Sequence, residues 1–557
     1  MSMAAGGAER THGPGWRRSP IVERVLEASI GASLALGFAL LKLSYRAPLG
    51  DGLDGSYYLQ IARHVAQGEG FSTSVSLYHM GLEPLPQPAM TYPLLPVVLG
   101  LVARRTGIET AARAVPVAFY FGSLVLAYAW IRTVALGVAP GRTRLAVFAA
   151  TTLTALLGLN PIYHWASSRP YTESLAFTLV LATLVAFTSA KKRRFSRPVR
   201  ADAAYFGIGL LAGFCYLARF QLLVAAPALA GVEMIGLSER RFRRAGWLLG
   251  GAALCVVPWA VRFFRMPGAE LRPLFDFAAY HPWPLLPRLD YSVPCAGPFA
   301  CVLDKLGGLV HAFTPALPTS YVAQFGAATL ALPAAAAAMA LGARRRRSFG
   351  ALRRARYAPL VASGLLGTLA VAPLHLLHSQ RWSEWAFGWR QGLPLFFVLV
   401  PACLVLVTSA RRWRGVRPRD VLARCGLAVV VAAAVMHALL TLGRKTVELG
   451  FDPAIAIELE GVRGAAAYLT QHAAHERTLG IEPQPLAAFT DAPLDWLACW
   501  SPPELAERLV TGRHATRAVL RPGELACPSL ARIRPWLALE YRVETPLPVG
   551  VFRIARP

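Results

Sequence analysis

Two aspartates, Asp51 and Asp54, stand in DGLDGSYYLQIARHVAQGEG (51–70), at the mouth of a long apolar segment running from Arg24 to Tyr45. An amphipathic helix pattern follows them. The apolar run is long enough to cross a bilayer, so both carboxylates fall just outside the hydrocarbon, where an acid meets a lipid headgroup and water at once. A carboxylate in that position suits proton abstraction. Aspartate is also a preferred helix cap, and a cap for the helix running from Ser56 is the competing role for Asp54.

The elements that must position these acids are membrane spans. The chain has 557 residues, of which 55% are hydrophobic and only 16% charged, with a mean hydropathy of +0.42. Such a composition defines an all-α polytopic membrane bundle, not a soluble globule. The net charge of +27 comes from short basic bursts between apolar runs, without the aromatic-interleaved basic motifs of a nucleic-acid surface. They are topology determinants, and nucleic acid is not an expected partner.

Apolar segments recur near 24–45, 113–135, 143–159, 172–190, 203–218, 220–237, 245–264, 322–342, 358–377, 387–409 and 421–442, with a weaker one at 92–103. Basic clusters at Lys191–Arg200, Arg240–Arg244, Arg344–Arg356 and Arg411–Arg424 mark the cytoplasmic face. Counting 92–103 as a span would put the Lys191 cluster opposite the Arg17–Arg18 N-terminus; leaving it out puts every cluster inside. That run carries Pro93 and Pro96, and about a dozen residues at 1.5 Å each cannot cross roughly 30 Å of hydrocarbon. It is expected to be an interfacial or re-entrant helix of the first outer loop. The result is about eleven spans in the plasma (inner) membrane, with the N-terminus cytoplasmic.

The expected organisation is a cytoplasmic tail (1–22), a membrane domain (23–442) with outer loops at 46–112 and 265–321, and a small extracytoplasmic α/β domain (443–557). In the last part EGVRGAAAYLTQHAAHE and PPELAERLV are helix-like; LAAFT, TRAVLRP, LEYRVET and GVFRIAR are strand-like. Cys295 and Cys301 share the second outer segment and Cys499 and Cys527 the last, so an oxidising compartment would pair each couple. Cys215, Cys255, Cys403 and Cys425 lie in or beside spans, and none of the cysteines has zinc spacing.

The segment from Asp54, DGSYYLQIARHVAQGEGF, resembles the first outer-loop signature of the GT-C superfamily of membrane glycosyltransferases, in which an aspartate is followed by a tyrosine, an Ile-Ala and a Gly-x-Gly. TYPLLP (Thr91–Pro96), RPYTESL (Arg169–Leu175), Leu217-Ala218-Arg219 before an apolar run ending at Pro227, and RQGLP (Arg390–Pro394) resemble further elements of that family in the same order. The likeness extends over most of the chain, the terminal outer domain included, as in the mannosyltransferase-like and aminoarabinose-transferase-like branches. In two places the chain departs from the pattern: Gly55 stands where a glutamate often follows the aspartate, and Leu94 replaces the second proline of a Pro-Pro pair.

The resemblance implies an inverting transfer of a sugar from a polyprenyl-phosphate carrier to an extracytoplasmic glycan, lipid or protein acceptor. A phosphate already leaves well, so the reaction needs a base for the acceptor and positive charge for the phosphate. Asp54 is the candidate base, with Asp51 as fallback. Arg219 and Arg390 fall at outer span ends, where a guanidinium can grip a lipid phosphate bidentately or simply snorkel. Glu173 is a candidate for the acceptor or for a divalent cation shared with Asp54, without a third evident ligand, or for the first turn of its span. Tyr57 and Tyr58 adjoin Asp54 and are candidates for the donor sugar or for packing. His164, His375 and His378 lie near outer span ends and offer assistance in proton transfer. The rival classes are a lipid or glycan transporter or flippase, and a non-catalytic scaffold of the same fold; few charges inside the spans and no visible symmetry between halves weigh against transport.

Overall fold

The computed structural model describes residues 53–76, 85–89, 91–158, 161–193, 198–236, 239–265, 357–377 and, with single-residue gaps, 453–555, together with short pieces between 29 and 42, at 49–50 and between 396 and 404. Two compact units result, Met1–Ser44 and Tyr45–Pro557. In the first, residues 31–33 and 35–40 are helical and lie in the first apolar run.

The second unit opens with α1 (Leu53–Gln67), which begins three residues before the expected start at Ser56. It is buried on nearly every side, with Tyr58, Leu59, Gln60, Ile61, Ala62 and His64 all shielded from solvent. After it come β1 (Ser72–Thr73), β2 (Val75–Ser76) and β3 (Gln87–Pro88); β1 and β3 form a small antiparallel pair. The run at 92–103 is α2 (Leu94–Thr106), of 13 residues, about 20 Å long and too short to span. It lies tightly on α1: a side chain at Gly100 would come within 2.7 Å of the Ala62 carbonyl and of Val65. Gly107, with φ +82°, reverses the backbone directly into α3 (Ile108–Val138).

The bundle continues with α4 (Thr143–Gly158), the short α5 (Pro161–Ala166), α6 (Glu173–Lys192), α7 (Pro198–Ala218), a 3-10 turn (Phe220–Val224) leading into α8 (Ala225–Ile235), α9 (Arg241–Phe264) and α10 (Ala358–Leu377). Among the described residues four helices are long and apolar enough to cross a membrane: α3, α6, α7 and α9 as far as Arg262. The run at 220–237 is not one continuous α-helix, because extended Arg219 is followed by the 3-10 turn before α8 begins. The runs at 322–342 and 421–442, and most of 387–409, lie outside the described residues, so the count of eleven rests on the sequence alone.

Glycine lets α7 and α9 touch backbone to backbone. A Cβ at Gly209 would sit 2.2 Å from the Leu248 carbonyl, and one at Gly251 2.2 Å from that of Phe206. Spans in lipid gain little from burying apolar surface against each other, and close approach through small residues substitutes for it. The same spans pair charge at the end that the basic clusters mark: Arg243 of α9 meets Asp202 of α7 at 2.5 Å, and Lys191 of α6 pairs with the fully buried Glu233 of α8.

The terminal part is α/β: α11 (Pro453–His472), β4 (Thr478–Ile481), α12 (Gln484–Ala487), β5 (Leu494–Leu497), α13 (Pro503–Thr511), β6 (Arg517–Leu520), β7 (Leu537–Val543) and β8 (Val549–Ile554). Its six-stranded sheet runs β2-β5-β4-β6-β8-β7. Strands β2, β5, β4 and β6 are parallel, and β8 and β7 antiparallel to what precedes them. Leu479, Leu497, Leu509, Ala518, Leu530 and Ile533 form its core. The edge strand β2 comes from the segment after α1, so the sheet is not confined to residues after 443. LAAFT, expected as a strand, is instead the end of α12 and the turn after it.

Cys499 and Cys527 are joined in a disulfide across 28 residues; Cys295 and Cys301 lie outside the described residues. Closing a loop of that length restricts the unfolded chain by about 3.5 kcal/mol. Reduction, or the Cys499→Ser/Cys527→Ser pair, is expected to destabilise the α/β part by about 2–4 kcal/mol, read as earlier proteolytic cleavage in urea within residues 453–555 and unchanged cleavage in the bundle.

Arg517 links strands across the sheet. It grips Glu540 bidentately at 2.9 and 3.1 Å and also pairs with Glu476. Hydrogen bonds from Arg517 hold both carboxyls below the ordinary glutamate value. A depressed acid contributes stability that is complete above its unfolded value and is lost as pH falls through the folded one. The thermal midpoint of the α/β part is therefore expected to drop between about pH 5 and pH 3, and Arg517→Met should flatten that slope in a melt of the full chain.

Candidate active site

Four of the sequence elements singled out above meet at one end of the bundle. Asp54 sits in the first turn of α1, half-buried, where the helix dipole favours a carboxylate. Its neighbour Gly55 abuts the loop before α6. A Cβ there would approach Pro170 Cγ to 3.2 Å and Tyr171 Cε1 to 3.3 Å, so any side chain at this position would press on that loop. Ring contacts tie that loop together: Arg169 stacks over Trp165 at 4.5 Å and Trp165 lies 5.1 Å from Tyr171. Three residues past Pro170 stands Glu173, the first residue of α6.

Glu173 is committed to Arg219. The guanidinium, in the extended residue between α7 and the 3-10 turn, donates to Glu173 Oε1 at 2.5 Å, and the two are only 1% and 4% exposed. Tyr92 of the TYPLLP element packs edge-on against Phe220, the residue after Arg219, at 4.7 Å. A small cavity opens beside the ion pair, walled by Phe177, Val180, Leu222, Gln221 and Phe397. Phe397 follows the RQGLP element by a few residues and is held by a hydrogen bond from Ser363 of α10 to its carbonyl, at 2.5 Å. Arg219 Nε, shielded from solvent, finds no acceptor among the described residues.

A second guanidinium lies at the same end, and sequence reasoning passed over it. Arg262, in the last turn of α9, stacks 4.6 Å from the Trp259 ring and 5.2 Å from Phe71 and donates to the Phe71 carbonyl at 3.2 Å. Its Nη1, also shielded, has no acceptor among the described residues. The signal in WAVRFFR was an arginine flanked by aromatics at an outer span end, which reads as ordinary snorkelling. What distinguishes it is Phe71, brought from the segment after α1.

The other sequence candidates fall as follows. Tyr57 and Tyr58 are 6% and 3% exposed, inside the packing around α1. His164 is buried in α5, its ring 6.2 Å from that of Tyr120. Asp51, His378 and Arg390 lie outside the described residues. Among the described residues no group of three His, Cys, Asp or Glu side chains is placed to hold a metal ion, and the oxygen of Glu173 nearest Arg219 is taken by that pair.

The bundle of apolar helices, the α1–α2 helix pair and the terminal α/β part together make a fold that this chain shares with solved structures of known proteins. It is similar to ArnT from Cupriavidus metallidurans bound to undecaprenyl phosphate, at 15% identity and a TM-score of 0.52, over 97% of this chain and 100% of that one. It is also similar to the oligosaccharyltransferase of Archaeoglobus fulgidus tethered with an acceptor peptide (13% identity, TM-score 0.54, 97% of this chain and 75% of that). A third likeness is to the mycobacterial arabinofuranosyltransferase AftD, at 16% identity and a TM-score of 0.51, over 95% of this chain and 42% of that one. No protein-family model and no curated protein sequence matches the chain.

Proposed function

We propose that the protein is a membrane glycosyltransferase that moves a sugar from a polyprenyl-phosphate carrier to an acceptor on the outer face, with inversion at the anomeric carbon. The observation that carries this reading is the convergence, at one end of the bundle, of a half-buried carboxylate in a helix first turn with two guanidinium groups that keep an unused donor. That set matches the demands of the reaction. The acceptor oxygen attacks C1 and gives its proton to Asp54; the C1–O bond to phosphate breaks with its electrons on the phosphate oxygen; polyprenyl phosphate leaves. Arg262 and Arg219 meet the growing negative charge, with Arg390 a further candidate by sequence.

The fold supports the donor class: the ArnT structure holds undecaprenyl phosphate, and an archaeal oligosaccharyltransferase of the same fold holds a dolichol-phosphate with an inhibitory peptide. The test uses purified full-length protein in nanodiscs and a panel of radiolabelled polyprenyl-phosphate sugars. Acceptor-dependent release of polyprenyl phosphate is expected for one of them. Failure of every lipid-linked sugar to bind would sink the reading, and movement of intact lipid across the bilayer without cleavage would replace it with the transporter class.

A further inference from the structure

The helix that carries Asp54 is gripped by the terminal α/β part. Arg63 of α1 reaches into the turn after α12 and spends its whole guanidinium there. It donates to the carbonyls of Ala487 at 2.6 Å, Thr490 at 2.8 Å and Ala488, and to Asp491 Oδ1 at 3.0 Å. One turn earlier, Gln60 is engaged at both ends of its amide: Nε2 donates to the Thr490 carbonyl at 3.2 Å, and Oε1 accepts from the Thr73 hydroxyl at 2.8 Å and the Ser74 amide at 3.0 Å. His64, only 1% exposed, sits 3.6 Å from the same Asp491 oxygen. Burial pushes the Asp491 carboxyl up, but the His64 hydrogen bond and the Arg63 charge outweigh it and hold it below its ordinary value.

Positions 60, 63 and 64 are one face of a helix. Nine residues at about 100° each put Asp54 on the face opposite Arg63. The loop after α1 is tied in as well, because β2 pairs with β5 and the Leu494 amide donates to the Ser74 carbonyl at 2.8 Å. A guanidinium held by three carbonyls and a carboxylate fixes both the rotation and the axial position of a helix. No simple packing contact does both.

We propose that the terminal α/β domain is the positioning element of the site: through Arg63 and Gln60 it sets the register of α1, and with it the place of the Asp54 carboxylate. The assignment of Asp54 as base comes from the function proposed above; the clamp itself does not depend on it. Arg63 and Gln60 are positioning residues, remote from the reacting atoms.

The experiment compares Arg63→Met, Arg63→Lys and the milder Asp491→Asn with wild type in nanodiscs, by amide hydrogen exchange and by transfer kinetics. In Arg63→Met, exchange at residues 57–65 should rise about tenfold with the bundle helices unchanged. Its kcat should fall about a hundredfold, with the donor KM within about twofold. Arg63→Lys and Asp491→Asn should fall between the two. Wild-type exchange in Arg63→Met overturns the clamp, as does faster exchange throughout the bundle. Matching losses in kcat and donor affinity overturn the positioning role. Should Arg63→Met fail to fold, Asp491→Asn carries the same comparison. A wild type that transfers no sugar defeats the proposed function alone, and the exchange data still decide the clamp.

Discussion

Replacing Asp54 by asparagine is expected to slow transfer about a thousandfold, the middle of the range for removing a positioned general base. Donor binding should change less than about twofold, because the base acts on the acceptor proton and not on the phosphate. A helix-terminus role makes a different prediction. In the first turn of α1 the carboxylate is worth about 0.3–1 kcal/mol to the helix dipole, a loss that would show in the melt and leave kcat nearly intact. The two roles differ by orders of magnitude in rate, so single-turnover transfer by Asp54→Asn separates them. A rate within about threefold of wild type, with a slightly lower melting point, would leave Asp54 as a helix-end residue only.

The second large effect belongs to Glu173 and Arg219. Each is shielded from solvent and each neutralises the other. Arg219→Met strands a carboxylate in a low-dielectric surround, at an expected cost of about 3–5 kcal/mol. The double variant Glu173→Gln/Arg219→Met removes both charges and is expected to recover most of that loss, since a buried pair contributes little over a neutral replacement. Thermal melts of the two single variants and the double one complete the cycle. Additive losses would show that the two side chains act independently. The donor adds a second readout: if Arg219 Nε serves the phosphate, the double variant regains stability without regaining donor affinity.

The parts of this molecule legible in the sequence are those set by local pattern. The alternation of apolar runs and basic bursts gave α3, α4, α6, α7 and α9 close to their observed bounds, and the shortness of 92–103 predicted α2 as a helix that does not span. The helices α11 and α13 and the strands β6, β7 and β8 carried clear periodicity. Strands β4 and β5 did not: each is four residues, buried on both faces, and so lacks polar alternation. Strand β2 is two residues long and exists only because β5 is beside it. Of the site, Asp54, Glu173 and Arg219 were visible as residue types at outer span ends, but their mutual arrangement was not. Charge at positions 173 and 219 carries no mark that the two will meet. Gly55 stood out in the sequence only as a missing carboxylate; that Pro170 and Tyr171 pack closely against it could not be read there. Arg262 was invisible because its significance comes from Phe71, nearly two hundred residues earlier.

The shared sheet also sets a schedule for biosynthesis. Gln60 and its acceptor Thr490 are separated by 430 residues, and at about 5–20 residues per second the ribosome needs roughly 20 to 90 seconds to make the intervening chain. Throughout that time α1 has emerged without Arg63's carbonyls, without β5 and without the core of the terminal part. The helix that bears Asp54 therefore reaches its final place only after the last domain has been made and has folded onto it. A chain interrupted before residue 494 lacks β5, the partner of β2, so premature termination is expected to leave α1 without its clamp.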